Sequence, residues 1–383
     1  MCRWFDSAPG HHFYPCKNRV FFCLDLDLLR WQFRLSIFAR SGKVVLRYVN
    51  QGCLGRFEFA AHTAWKDDHA SAASRGGYSI LMTTSLQPVS VVVVNHNAGG
   101  LLLECVEVAL SQAQEVIVVD NQSTDASMEF LAARFPDQDH LKLVYLKENL
   151  GFAAGCNVGI ASATHSHLLF INPDTILGPL SLGKLVQVID GDASVGMVGG
   201  LLTNLDGSEQ GGGRRAVPTP WRSFVRAFGL NRMSGWWPTV FFDFYLHKQP
   251  LPNEPIEVEA ISGALMLVSR VALDDVGLWD EAYFLHCEDL DWCMRFRQKG
   301  WRILFVPDAP VIHYQGHSSR ARPMFVEWHK HKGMVRFYRK FFSHQYPGVL
   351  MGLVGVAVWV RFSALLLGHW IKVVANGIKG RGG

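Results

Sequence analysis

Three polar sets stand where apolar runs end. Asn95-His96-Asn97 closes VSVVVVN at residues 89–95, and Asp120-Asn121-Gln122-Ser123-Thr124-Asp125 closes EVIVVD at 115–120. Asn172-Pro173-Asp174 closes HLLFIN at 167–172. Any one of them alone reads as a turn or helix cap, because Asn, Asp and Ser bond their own backbone there. Three such ends on one sheet edge read differently. Carboxylates and amides gathered there suit a hard divalent cation that carries a substrate phosphate. The edge has neither G-x-G-x-x-G after its first strand nor a P-loop, which argues against a dinucleotide or P-loop nucleotide fold.

These sets have to be positioned by strands. The runs at 89–95, 115–120, 141–147, 167–172 and 195–202 are short and rich in Val, Ile and Leu, as strands buried on both faces are. Between the first two, Leu102, Val106, Ala109, Leu110 and Ala113 recur at helical spacing. NLGFAAGCNVGI at 149–160 reads as a loop entering a helix. This alternation predicts an α/β fold with a mostly parallel sheet flanked by helices, whose ligands lie beyond the carboxyl ends of the strands.

The 383 residues are 49% apolar and only 18% charged, with net charge +4 and mean hydropathy +0.10. This composition is too apolar for a disordered chain. Eight scattered cysteines without a C-x-x-C pair make neither a disulfide scaffold nor a thiolate zinc site. The mild charge gives no reason to expect nucleic acid as a partner.

Residues 1–81 carry four of the eight cysteines and 14 of the 46 aromatic residues, with no clear helical or strand period. They are expected to be an extension outside the working protein, with Met82 as its start. A small aromatic-rich accessory domain is the alternative. A catalytic domain is expected over 82–345 and an apolar, membrane-associated helical tail over 346–383.

In that tail, fourteen apolar residues at 347–360 are followed by Arg361 and then by residues 362–371. A span needs roughly 20 apolar residues, so the charge favours an in-plane or re-entrant anchor over a true span. Seven basic residues against Glu327 alone in 320–340 favour the cytoplasmic face. Between the two halves, residues 217–244 mix Arg222, Arg226 and Arg232 with eight aromatics. Trp221, Phe224, Val225 and Phe228 form one apolar face there, suited to a membrane surface or a lipid-linked acceptor.

The series VSVVVVNHN, VVDNQSTD, NLGFAAGCN, FINPD, ISGA, GLWDE-x-YFLHCEDLD and HYQGHSS, over about residues 89–345, resembles family 2 glycosyltransferases of the GT-A fold. Within them it is most similar to bacterial rhamnosyltransferases of cell-surface polysaccharide assembly. The resemblance implies donor contacts from Asn95, Asn97, Asp120, Asn149, Gly151, Asn157, Asn172, Ser262 and Gly263, with Asp120 on the nucleotide base. It implies a Mg²⁺ or Mn²⁺ ion on Asp174 and His313, where Asn172 replaces the first carboxylate of the family's D-x-D.

Asp289 is then the general base, with Glu288 shaping its environment, because two adjacent carboxylates at a helix start diverge. Trp279 would be a stacking platform for the sugar, with core packing as the alternative. Asp291 and Arg295 would pair on the helix surface, and Asp280 and Glu281 would cap a turn. The implied activity is inverting, metal-dependent transfer of a sugar, rhamnose from dTDP-rhamnose, to a glycan or lipid-linked acceptor in O-antigen-like polysaccharide synthesis. A dTDP- or UDP-sugar donor and the cytoplasmic face of the inner membrane follow as partner and location, with peripheral or C-terminal attachment. A processive polysaccharide synthase would need Q-x-x-R-W, and Gln298-Lys299-Gly300-Trp301 does not supply it. A non-catalytic carbohydrate- or lipid-binding protein on the same fold is the other alternative.

Overall fold

The computed structural model describes residues 85–237, 239–314 and 322–379, together with the backbone of five strands between residues 11 and 60. The chain divides into two compact units, Met1–Leu81 and Met82–Gly383. In the first, β1 (His11–Cys16), β2 (Arg19–Leu28), β3 (Trp31–Arg40), β4 (Lys43–Asn50) and β5 (Cys53–Ala60) form an antiparallel sheet in sequence order. No strand period was expected here. Apolar residues fall on consecutive positions, as in Phe21-Phe22 and Val44-Val45, and so erase the alternation that marks a half-buried strand.

The second unit is built on a nine-stranded sheet. Its strands are β6 (Gln87–Asn95), β7 (Ala113–Asp120), β8 (Leu141–Tyr145), β9 (His167–Ile171), β10 (Thr175–Leu177) and β11 (Val195–Thr203), joined later by β13 (Ile256–Glu257), β15 (Leu265–Ser269) and β16 (Arg302–His313). The short β12 (Arg214–Arg215) and β14 (Ala260–Ile261) pair separately. The spatial order is β10-β16-β11-β15-β9-β6-β7-β8, with β13 on β16. Strands β6 to β9 run parallel, as do β11 and β16; β15 is inserted antiparallel between β9 and β11. All five strands read from the sequence are present.

The unbroken apolar runs are explained by burial on both faces. Val92 and Val94 of β6 enter one buried cluster, while Val89, Val91 and Val93 enter the other. Each fully buried valine contributes roughly 1.5 kcal/mol or more relative to exposure. Helices α1 (Gly100–Leu110) and α4 (Ser181–Asp190) cover one face through Leu102, Val106, Leu182 and Leu185. On the other lie α3 (Phe152–Ser162) and α7 (Glu288–Gln298). The remaining helices are α2 (Ser127–Arg134), α5 (Pro220–Ala227), α6 (Arg270–Val276), α8 (Pro323–Phe342) and α9 (Gly348–Lys379). This is the GT-A architecture with an apolar C-terminal helix.

The tail is helical, as expected. Arg361 does not break it: α9 is one continuous helix, and Gly348–Val373 is long and apolar enough to cross a membrane. The reason is tertiary. Arg361 turns toward α8, where its Nη1 lies 2.8 Å from His331 Nε2. Trp328 of α8 packs on Trp359 and Phe362 beside that pair. The charge is thus taken up between two helices, and the apolar stripe of α9 remains outside. Val349, Val356 and Val360 are exposed along it.

Candidate active site

The parallel strands β6 and β7 bring Asn95 opposite Asp120. The side chain of Asn95 is consumed in tying the two strand ends together. Its Nδ2 donates to Ser123 Oγ and Ser127 Oγ at 3.0 and 2.9 Å and reaches Asp120 Oδ1 at 3.3 Å. Asn97, left-handed at φ 58°, accepts from the backbone N–H of Thr124 and Asp125 at 2.7 and 3.1 Å. Both asparagines that the sequence marks as donor contacts therefore clamp loops in this structure. Asp120 stays at the strand end, accepting from the Ser123 N–H.

The next loop is bound to this one. Asn121 Nδ2 donates to the Gly151 carbonyl, and its Oδ1 accepts from Leu150 N–H. Asn149 Oδ1 accepts from the Gly151 N–H at 3.0 Å. Gly151 has φ 90°, and a Cβ there would fall 2.5 Å from the Phe284 carbonyl, so only glycine fits. Asn157 is not at the site: it is buried, donating to the Trp279 carbonyl and Glu281 and accepting from Trp279 N–H. Trp279 itself is 2% exposed, packed on Phe152, Phe170 and Trp292. A ring enclosed in that way presents no face to a sugar, so core packing prevails over the platform role.

A second group forms where β9 ends. β10 pairs antiparallel with β16, with Thr175 opposite His313, which sets Asp174 beside the imidazole. His313 Nε2 lies 3.3 Å from Asp174 Oδ1 and 3.4 Å from Asn172 Nδ2. Sequence reasoning missed Gln210, a buried amide that fixes this ring. Its Oε1 lies 2.6 Å from His313 Nδ1, while its Nε2 donates to Asn204 Oδ1 and the His313 carbonyl. With the amide so oriented, Nδ1 carries the proton. Nε2 is then the ring nitrogen that faces Asp174 Oδ1 and Asn172 Nδ2.

Adjacent ligands on one Mg²⁺-sized ion stand about 3 Å apart, given bonds of about 2.1 Å. The pair fits such an ion, with a carboxylate and an imidazole as donors. No group of three or more His, Cys, Asp or Glu side chains able to hold a metal occurs among the described residues. The motif HYQGHSS continues into residues 315–321, which lie outside them.

The antiparallel insertion of β15 carries the third group to the second. Ile171 pairs with Leu265, so the chain entering β15 runs beside the end of β9, and Asn172 N–H donates to the Ala264 carbonyl. Ser262 Oγ accepts from Ala264 N–H within this turn. Gly263 N–H donates to Asp289 Oδ2 at 3.2 Å. Asp289 lies in the first turn of α7 and forms an ion pair with Arg215 of β12. Arg215 also reaches the Ile261 carbonyl. It lies in the run GGGRR, which carries no signal in one sequence beyond its charge.

Glu288 diverges from Asp289 and turns inward. It is 7% exposed, and its Oε2 has no hydrogen-bond partner. Burial, and then the neighbouring charge of Asp289, push its carboxyl well above the ordinary range. The adjacent carboxyls thus divide: one is held by an arginine and a backbone N–H, the other lies in the interior, where burial favours its protonated form.

The pair is delivered by a strained turn. His286 and Cys287 both occupy the left-handed region, at φ 68° and 71°. Non-glycine residues there cost about 1–3 kcal/mol each, so the surroundings must hold them. Helix α8 does so, with Gly333 against the His286 carbonyl and Phe325 and His329 against Phe284. Asp280 is no cap for the preceding turn alone; it pairs with Arg336 and Lys340 of α8 at 2.8 Å each. Asp291 and Arg295 do pair, at 2.7 Å, but Asp291 is fully buried and also meets Lys340, so the pair is internal.

The profile of the family described as "Glycosyltransferase like family 2" matches residues 87–325, the span that contains all three groups. The chain belongs to the family 2-like glycosyltransferases. Among its relatives is N-acetylglucosaminyl-diphospho-decaprenol L-rhamnosyltransferase of Mycobacterium tuberculosis (strain CDC 1551 / Oshkosh), 29% identical over 248 residues, 61% of this chain and 78% of that one. Rhamnosyltransferase WbbL of Escherichia coli K12 is 24% identical over 247 residues, 61% of this glycosyltransferase and 86% of WbbL. A crystal structure of GalNAc-T7 with UDP, GalNAc and Mn²⁺ is 17% identical with TM-score 0.49, covering 68% of this chain and 49% of that one.

Proposed function

We propose that this glycosyltransferase moves rhamnose from dTDP-rhamnose to a lipid-diphosphate-linked saccharide at the cytoplasmic face of the inner membrane, inverting the anomeric centre. The observation that carries the reading is the placement of Asp289. It is oriented by Arg215 and Gly263 N–H, on a turn whose neighbour Ala264 is bonded to Asn172 of the Asp174–His313 group. The rhamnosyltransferase relatives support the sugar, and the diphospho-decaprenol in the name of one of them supports the acceptor. A cell-surface polysaccharide of O-antigen type is the corresponding product.

In this mechanism Asp289 accepts the proton of an acceptor hydroxyl as that oxygen bonds to the anomeric carbon. The bond from that carbon to the diphosphate oxygen breaks on the opposite side. The electron pair leaves with the nucleoside diphosphate, and no covalent intermediate is needed. Asp120 accepts from the imide N–H of the pyrimidine base. The loop at Asn149 and Gly151 lies against the nucleotide, and Ser262 and Gly263 line the sugar. Asp174 and His313 would hold Mg²⁺ or Mn²⁺, which supplies neutralisation of the departing diphosphate when bound. Position and charge stabilisation carry the acceleration.

The test is turnover with dTDP-rhamnose and a lipid-diphosphate-linked acceptor, before and after chelation. Transfer is expected to stop on chelation and to return with Mn²⁺, and His313→Ala is expected to need more Mn²⁺ for half-maximal rate. Transfer that ignores chelation would remove the metal assignment. Turnover with UDP-sugars and none with dTDP-rhamnose would remove the donor.

A further inference from the structure

The segment that follows β12 carries a surface that the transfer reaction does not use. Thr219 caps α5 through its side chain, and Val225 is the buried side of that helix. Next to it on the same face the helix is aromatic and open. Trp221 stacks on Phe224, and Phe224 packs at a tilt against Phe228. The chain then presents Trp236 at 81% exposure, Phe228 at 68% and Trp237 at 62%. Exposed apolar groups gathered in this way mark an interaction surface.

The rings are held outward by a frame behind them. Arg226 pairs with Asp243 at 2.9 Å and lies over Tyr245, and Asn231 also binds Asp243. Trp221 Nε1 donates to the Val240 carbonyl. Arg222 pairs with Glu259 at 2.6 Å. Two of the three arginines that make the segment basic are thereby committed internally. Arg232 is exposed and has no acidic partner among the described residues.

The surface also joins another. Tyr338 of α8 donates to Ser223 of α5 at 2.7 Å, and Tyr338, Phe341 and Phe342 share one buried cluster with Val358 of α9. On α8, Lys332 and Arg339 are exposed and, among the described residues, meet no acid. Indole and phenyl rings beside uncompensated cations match the headgroup level of a bilayer, where aromatic residues collect and anionic lipids attract Lys and Arg.

We propose that residues 221–237 form a second membrane contact, in which the rings of Trp221, Phe224, Phe228, Trp236 and Trp237 enter the interfacial zone of an anionic phospholipid bilayer. The proposal rests on the membrane reading of α9. With α9 it gives the catalytic unit two fixed points on the membrane. The lipid-linked acceptor then meets Asp289 in one orientation, because α5 is only a few residues from Arg215.

The test uses the full chain in proteoliposomes of phosphatidylethanolamine and phosphatidylglycerol, with the environment-sensitive dye NBD on a single introduced cysteine. Trp236→Cys reports the patch, Leu366→Cys reports α9, and Leu205→Cys, an exposed turn residue, reports water. The parent chain treated with the same dye supplies the background. The Trp236→Cys and Leu366→Cys labels are expected to shift to the blue and to be quenched by doxyl-labelled lipid, and the Leu205→Cys label to do neither. A Trp236→Cys label that stays in water while the Leu366→Cys label is quenched overturns the patch and leaves the anchor. The reverse pattern overturns the anchor and with it the two-point attachment, and quenching of all three or none overturns the patch. Trp236→Ser with Trp237→Ser is expected to raise KM for the lipid-linked acceptor while leaving turnover on a short-chain soluble analogue unchanged; an unchanged KM overturns the proposal.

Discussion

Asp289 and Glu288 are neighbours in sequence with opposite surroundings. Asp289 receives an arginine and a backbone N–H, so its carboxylate is held in one place; in the proposed transfer it takes the acceptor's proton. Asp289→Asn keeps the shape and removes the basicity. It is expected to lower transfer by about 10²–10⁴-fold, the usual share of general base catalysis, while nucleotide binding by titration calorimetry is retained. Normal turnover would end the assignment. Glu288 yields a stability prediction. Burial raises its carboxyl from the ordinary value of 4.5 to about 8. Below the ordinary value both folded and unfolded chains are protonated there, and the burial costs no charge. As pH rises, the unfolded chain ionises first, so this contribution to stability falls and is fully lost once pH has passed the raised value. Thermal unfolding of Glu288→Gln is expected to depend less steeply on pH between those limits than that of the parent. Equal slopes would show that Glu288 is not held neutral.

At the scale of elements, the site depends on a turn and the helix behind it. His286 and Cys287 are left-handed without being glycine, and α8 supplies the packing that keeps them so. A methyl group on Gly333 would come within 2.8 Å of the His286 carbonyl, whereas one on Gly352 of α9 meets nothing within 4 Å. Gly333→Ala is therefore expected to cost about 1–3 kcal/mol of stability and to reduce transfer, by moving the turn that carries Glu288 and Asp289. Gly352→Ala should do neither. The comparison is made by chemical denaturation and initial rates on both variants, and equal behaviour would break the link from α8 to the site. Sequence spacing could not show this link. Residues 323–342 read only as a basic stretch before an apolar tail, and their partners at 280 and 291 lie some 50 residues away in the chain.

The whole molecule consists of two compact units, and every residue proposed for transfer belongs to the second. A chain beginning at Met82 is expected to fold and to transfer at the parent's rate, measured with the same donor and acceptor; a large loss would make the first unit part of the enzyme. The sequence by itself determined five of the nine strands of the central sheet, because runs such as VSVVVVN must be buried on both faces wherever they lie. It also determined which strand ends carry polar groups, and the motifs that give the family. Tertiary structure decided what each polar group is free to do. Asn95, Asn97 and Asn157 have the chemistry of donor contacts, but loops brought together from distant segments use up the hydrogen bonds of Asn95 and Asn157 and occupy the side-chain oxygen of Asn97. Trp279 is enclosed by rings from three other elements, and Arg361 becomes compatible with an unbroken apolar helix by facing His331. Gln210 and Arg215 gain their positions beside His313 and Asp289 only when β16, β14 and α7 assemble. A local pattern fixes what must be buried, whereas the partner of a polar side chain is chosen by residues far along the chain.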